Sequence, residues 1–243
     1  MALKAMSRPY TPDNEAKRVW YNAAPHVSAI RIIIYLSAFF LTLYLIYCFY
    51  ADLPNTYQTM MSLSGQYSLI YFFIVLAITP LRRWCVILCQ YLKARFGKRL
   101  SDWNWLIKLR RSLGVVSTHF ALIHMLIYLW LELDWSFGEI VWDAQQRPVV
   151  AIGWLSFLVL TLLALTSPDI VQKKLKKNWR VLHRSIYPLT LLILLHYALE
   201  EKIGESAVVY WVVLSLVLLL HRVWFNWRKV RANVYDDGMV AKR

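Results

Sequence analysis

Residues 182–197 read LHRSIYPLTLLILLHY, and this stretch sets two histidines, His183 and His196, into a run made mostly of leucine, isoleucine and tyrosine. The run is long and apolar enough for a helix in lipid, where burying an ionisable ring is costly and marks a functional position by default. Five further apolar blocks accompany it, giving 28–50, 62–81, 112–131, 149–166, 181–200 and 207–227. Each approaches the ~20 residues that cross a ~30 Å hydrocarbon core, with 149–166 the shortest. Several are apolar on every face, as helices surrounded by lipid or other helices are. The expected architecture is an all-α membrane protein, a bundle of six transmembrane helices.

Composition agrees. Of 243 residues, 59% are hydrophobic and 17% charged, against roughly 25% charged in soluble domains. Basic residues outnumber acidic ones, 28 to 14. If the N-terminal segment, the 82–111 loop, the 168–184 segment and the tail share one side, and Arg31 is taken with the N-terminal flank and Arg222 with the tail, that side collects every basic residue except Arg147 and Lys202. The opposite loops carry Asp52, Glu132, Asp134, Glu139, Asp143, Glu200, Glu201 and Glu205. By the positive-inside rule both termini are cytoplasmic. The excess charge is then a topology signal, and no nucleic-acid partner is expected. Segment 1–27 is a cytoplasmic lead-in without a cleavable signal pattern, 28–227 the membrane domain, and 228–243 a tail too short for a nucleotide-binding domain. Any soluble electron donor is expected to be a separate molecule.

Three cysteines, Cys48, Cys85 and Cys89, form neither a disulfide framework nor a Cys-x-x-Cys-His haem attachment site. No Gly-x-Gly occurs, so no phosphate-cradling loop is present. The 82–111 loop, rich in bulky apolar and basic residues, reads either as an amphipathic helix on the inner leaflet or as a solvated connector.

Histidines carry the chemistry. His124 lies thirteen residues beyond Arg111, and His196 thirteen beyond His183; Arg111 and His183 each mark the inner end of a block. Both blocks run outward, so the two rings reach one level, about 20 Å from the inner edge at ~1.5 Å per residue. Two imidazoles on facing helices at one height can ligate one metal ion axially. With no Cys, Asp or Glu at that level they make a poor zinc site. They suit b-type haem held on both sides, whose filled coordination favours electron transfer. His119 is five residues from His124, ~140° away round the helix, and is expected to hydrogen-bond between helices. His183, likewise ~140° from His196, is an auxiliary ligand or belongs to a second, inner site, with His221 as its alternative partner. Pro188 between the two is expected to kink the helix. His26 is interfacial. Arg110, Arg111 and Arg184 either neutralise propionate or phosphate groups or serve only as topology charges.

At these residues the chain resembles the MsrQ (YedZ) family of haem-binding membrane subunits, and more broadly the ferric-reductase-like transmembrane domain. The similarity runs from about 28 to 227 through ITPL (78–81), RRSLG (110–114), LEL (131–133) after His124, RPVVAIG (147–153), LTS (165–167) and the opening stretch. It implies that His124, His183 and His196 bind haem b, one or two groups, and that FMN is a second cofactor, for which no motif is visible. It implies a multi-pass protein of the bacterial inner membrane with no catalytic residue of its own. Electrons would come from a cytoplasmic flavin reductase or the quinone pool and pass to the periplasmic molybdopterin subunit MsrP, which reduces methionine sulfoxide in envelope proteins. His119 and His221 match no family ligand. Two other readings remain open: a ferric or quinone reductase with a different partner, and a haem-free transporter with a histidine proton relay.

Overall fold

The computed structural model describes residues 24–51, 55–94, 97–200, 208–222 and 224. These residues form helices joined by short turns. The order is α1 (Ala24–Tyr50), α2 (Thr56–Tyr91), a 3-10 helix (Leu100–Leu109) running directly into α3 (Arg110–Ile127), and a π turn (Tyr128–Glu132). There follow α4 (Phe137–Gln146), α5 (Pro148–Leu165), α6 (Asp169–Leu175), α7 (Lys177–Leu182), a 3-10 turn (His183–Ser185) and α8 (Ile186–Glu200). The last described helix, α9, spans Val208–Arg222.

Four stretches, His26–Tyr50, Thr56–Tyr91, Leu100–Glu132 and Pro148–Leu165, are long and apolar enough to cross a membrane; Val208–Arg222 is apolar but shorter. The large apolar side chains outside the core tell the same story. Ile32, Ile33, Phe39 and Phe40 of α1 stand well exposed, which suits a helix whose outer face meets acyl chains rather than water. This is an all-helical membrane protein.

Helix α2 is the central post. On one side Tyr71 and Ile78 join Ala38 and Leu45 of α1 and Leu113, Val116 and Phe120 of α3 in one cluster. On the other, Leu69, Phe72, Phe73 and Leu76 meet Leu160 and Leu163 of α5, Leu189 of α8 and Leu218 of α9. Small residues bring α2 and α3 close. Ser68 Oγ donates to the Ser117 carbonyl and Ser117 Oγ to the Ser68 carbonyl, each at 2.9 Å. Such reciprocal bonds serve where lipid offers no competing partner.

Several elements differ from expectation. The 62–81 block grows into a 36-residue helix, Thr56–Tyr91, that runs straight through Pro80. A proline removes the N–H that would bond the carbonyl four residues back, here Leu76. Arg222 of α9 supplies the missing donor: its Nη2 lies 2.8 Å from the Leu76 oxygen. The guanidinium therefore repairs the ladder from outside, and the helix continues. The 181–200 block is broken, with His183–Ser185 forming a 3-10 turn before α8. Pro188 falls in the first turn of α8, where an N–H is not needed, so the irregularity precedes the proline instead of kinking the helix at it. The 82–111 loop is largely helical, shared between the end of α2 and the 3-10 helix. Arg82 ties these two together through the Leu100 carbonyl at 3.0 Å and the Asn104 side chain.

Candidate functional site

His124 lies in the last turn of α3, immediately before the π turn, a local widening frequent at functional positions. His196 lies on α8. The tertiary fold brings their rings face to edge, with centroids 6.3 Å apart and planes at 87°.

Each ring is held by the same device. The Nδ1 of His124 is 3.0 Å from the Met61 carbonyl and 3.3 Å from Ser64 Oγ, both on α2. The Nδ1 of His196 is 2.9 Å from the Val149 carbonyl on α5. A carbonyl only accepts, so Nδ1 carries the proton in both rings and Nε2 keeps its lone pair. Neither Nε2 has a hydrogen-bond partner among the described residues. A second-shell carbonyl that fixes the tautomer and leaves the other nitrogen open is the usual preparation of a metal-binding histidine.

Two glycines make room for the rings. A Cβ at Gly65 would stand 3.3 Å from Cε1 and Nδ1 of His124. A Cβ at Gly153 would stand 2.8 Å from Cε1 and 3.0 Å from Nδ1 of His196, inside contact distance. Both imidazoles therefore lie flush against a neighbouring helix, at positions only glycine leaves open.

Both rings line a cavity of roughly 370 Å³ bounded by α2, α3, α5 and α8, with Leu69, Phe72, Ala121, Phe157, Leu160 and Ile193 among its apolar walls. That size is in the range of cofactor sites. An imidazole nitrogen binds a metal at about 2 Å, and the ring centre lies about 1 Å behind the nitrogen. Two imidazoles trans on one ion therefore have centres about 6 Å apart, the spacing seen. An apolar chamber with two opposed neutral imidazoles fits an iron porphyrin held on both sides. Among the described residues no group of three or more His, Cys, Asp or Glu could hold a metal by itself, so a bare-ion site is not the better fit.

One end of the cavity is polar. Glu132, at the end of the π turn, accepts from Arg147 Nη1 at 2.9 Å and from the Tyr57 hydroxyl. Arg147 also lies 3.5 Å from Asp143, which accepts from Tyr128 at 2.5 Å. This network ties α2, the π turn, α4 and the start of α5 into a lid over the chamber.

The other histidines lie elsewhere. His119 is bonded to Thr42 Oγ1 of α1 at 3.1 Å through Nε2 and packs edge-on to Phe120, the interhelical role expected of it. His183 turns to the Trp179 carbonyl at 3.2 Å and lies against the Trp179 ring, centroids 4.1 Å apart. His221 packs against Trp84 at 5.6 Å. Neither His183 nor His221 lines the chamber. Arg111 pairs with Asp169 at 3.3 Å, and Arg110 donates to Thr79 Oγ1 at 2.5 Å; Arg184 is exposed. The residues that sequence reasoning passed over are Met61, Ser64, Gly65, Val149 and Gly153. A lone glycine inside an apolar helix was their only advance signal, since it marks close approach.

The chain is similar to known proteins. Residues 64–194 match the family model described as ferric reductase like transmembrane component. A protein-methionine-sulfoxide reductase heme-binding subunit MsrQ from Herminiimonas arsenicoxydans is 35% identical over 175 residues, 70% of this chain and 72% of the relative. The MsrQ protein of Azospira oryzae is 29% identical over 210 residues, 85% and 82% of the two chains. That of Xanthomonas campestris pv. campestris is 33% identical over 171 residues, 70% and 69%.

Proposed function

Because this chain belongs to the MsrQ family, within the ferric-reductase-like transmembrane proteins, we propose that it is the haem b subunit of a methionine sulfoxide reductase system. In this reading it relays electrons across the bacterial inner membrane. They enter from a cytoplasmic flavin reductase or the quinone pool and leave to a periplasmic molybdopterin reductase subunit. The six-span arrangement with both termini cytoplasmic is part of the proposal, with the apolar helices α8 and α9 completing the four longer spans.

One observation supports it: two imidazoles from α3 and α8, each with Nδ1 on a backbone carbonyl and Nε2 open, come edge to face at 6.3 Å in the wall of one apolar chamber. His124 and His196 would hold the haem, which would supply one-electron redox chemistry when bound. The protein's own residues do the rest. The Met61 and Val149 carbonyls hold the ring orientation, Gly65 and Gly153 seat the rings, and the Glu132–Arg147–Tyr57 network closes the polar end. His183 and His221 lie outside the chamber, so this chamber would take one haem, held by His124 and His196.

Absorption spectroscopy of the purified protein tests this. The expected result is a Soret band that shifts on reduction. His124→Ala or His196→Ala should remove most of it, whereas His119→Ala should leave it. Haem retained in both of the first two variants would end the assignment.

A further inference from the structure

At the opposite end of the bundle from the Glu132–Arg147 network, Arg82, Arg110 and Arg222 gather with no carboxylate bonded to them among the described residues. Thr79 Oγ1 of α2 accepts from Arg110 Nη2 at 2.5 Å and from Arg222 Nη2 at 3.3 Å. Two guanidinium groups from different helices thus converge on one neutral oxygen. Arg82 lies near enough to add its repulsion to that of Arg222 on Arg110, and Arg83 is within reach of Arg222 in the same way. The ion pairs seen among the described residues are those of Arg111 with Asp169 and of Arg147 with Glu132 and Asp143. Arg82, Arg110 and Arg222 therefore have no described carboxylate partner.

Part of this charge has a structural task, since Arg222 completes the Leu76 ladder and Arg82 ties down the Leu100–Leu109 segment. The rest is uncompensated. The Nε atoms of Arg82, Arg110 and Arg222 are enclosed and have no hydrogen-bond partner. The Nη1 atoms of Arg110 and Arg222 also make no bond among the described residues, yet they are not enclosed. Arg222 lies over the half-exposed ring of Tyr187 of α8, 5.4 Å from its centroid. Gathered cations that no acid offsets are costly unless an anion joins them. Arginine forks match phosphate oxygens in shape as well as charge. Arg110 begins α3 and Arg222 ends α9, at the level where helix ends meet lipid headgroups. Basic pockets between helices on the cytoplasmic side are the recurring form of anionic headgroup sites.

We propose that Arg110 and Arg222, converging on Thr79 and backed by Arg82 and Arg83, bind one phosphate group between α2, α3 and α9, from an anionic phospholipid or a soluble phosphate. The site is separate from the histidine chamber and does not depend on what fills it.

The test uses the full chain in nanodiscs of phosphatidylglycerol or of phosphatidylcholine alone, with retained lipid read by native mass spectrometry. Wild type should carry phosphatidylglycerol in preference to phosphatidylcholine. Arg110→Gln and Arg222→Gln should each lower retention about fivefold, and the exposed Arg180→Gln should leave it unchanged. Arg222→Lys, which keeps charge without the fork, should retain an intermediate amount and guards against loss through misfolding. Titrating inorganic phosphate into the detergent-solubilised protein separates the sources: displacement of the retained lipid marks a site for soluble phosphate as well, and resistance marks a lipid site. Retention and phosphate response that are the same in wild type and both glutamine variants would overturn the proposal. So would variants that lose haem while keeping their lipid, because the cluster would then serve a cofactor carboxylate.

Discussion

Gly153 does at the residue scale what no polar group could. It lets the His196 ring rest against α5 while the Val149 carbonyl, one turn earlier on the same helix, holds Nδ1. Gly153→Ala places a methyl 2.8 Å from Cε1, and the ring must swing away from both its carbonyl and its partner. Loss of an outer-shell support typically costs metal affinity about 10- to 100-fold, so Gly153→Ala should lower haem affinity by that amount. Gly65→Ala, with its contact at 3.3 Å, should lower it less. Haem titration of the apoprotein, with helicity checked by circular dichroism, gives both numbers. Undiminished affinity in Gly153→Ala would show that the ring does not need this seat. At the same scale, the level match of His124 and His196 was legible from spacing, because the rise per residue of an α-helix is fixed and the short 3-10 turn at His183–Ser185 changes it little. Their anchors were not. Met61 and Val149 act through main-chain oxygens, which every residue carries, so no residue type advertises them.

Elements bring a second kind of dependence. Helix α2 passes through Pro80 because Arg222, 146 positions away in sequence, bonds the carbonyl that the proline leaves open. A buried carbonyl bonded by a charged donor is worth about 1.5–3 kcal/mol, so Arg222→Gln should destabilise the protein by up to that amount. Pro80→Ala restores the N–H of an ordinary helix and should make the loss at position 222 smaller. A double-mutant cycle on thermal or denaturant unfolding in detergent measures this coupling. Additive effects would mean that Arg222 serves the helix in some other way. The apolar blocks announced most helices, but α2 overran its block at both ends. Periodic polarity marks where a helix meets lipid and does not mark where the hydrogen-bonded ladder stops. The break at His183–Ser185 is the converse case: the composition of 181–200 is continuous, whereas the backbone turns before Pro188 can interrupt it.

Viewed as a whole, the molecule is polarised, with Glu132, Asp143 and Arg147 closing one end and Arg82, Arg110 and Arg222 gathered at the other. If the basic end faces the cytoplasm, a fluorescent protein fused after Arg243 should fluoresce, and alkaline phosphatase at the same place should be inactive. Phosphatase fused after Gln145, in the acidic-end segment, should be active. The reverse pattern would invert the proposed direction of electron flow and require an odd number of spans or a flipped bundle. The expectations for 1–23 and 225–243 lie outside the described residues, and the fusion after Arg243 tests the placement of the C-terminal segment.

Membrane residence, helical class and the common height of two histidines followed from the amino-acid order alone. Transfer of apolar side chains into lipid and the rise of an α-helix are local properties that need no knowledge of neighbours. Which face of each helix meets which other helix is a collective choice, made when packing sets every rotation about a helix axis at once. That choice alone turned two rings toward one chamber, set Gly65 and Gly153 beneath them, and carried Arg222 to the carbonyl freed by Pro80.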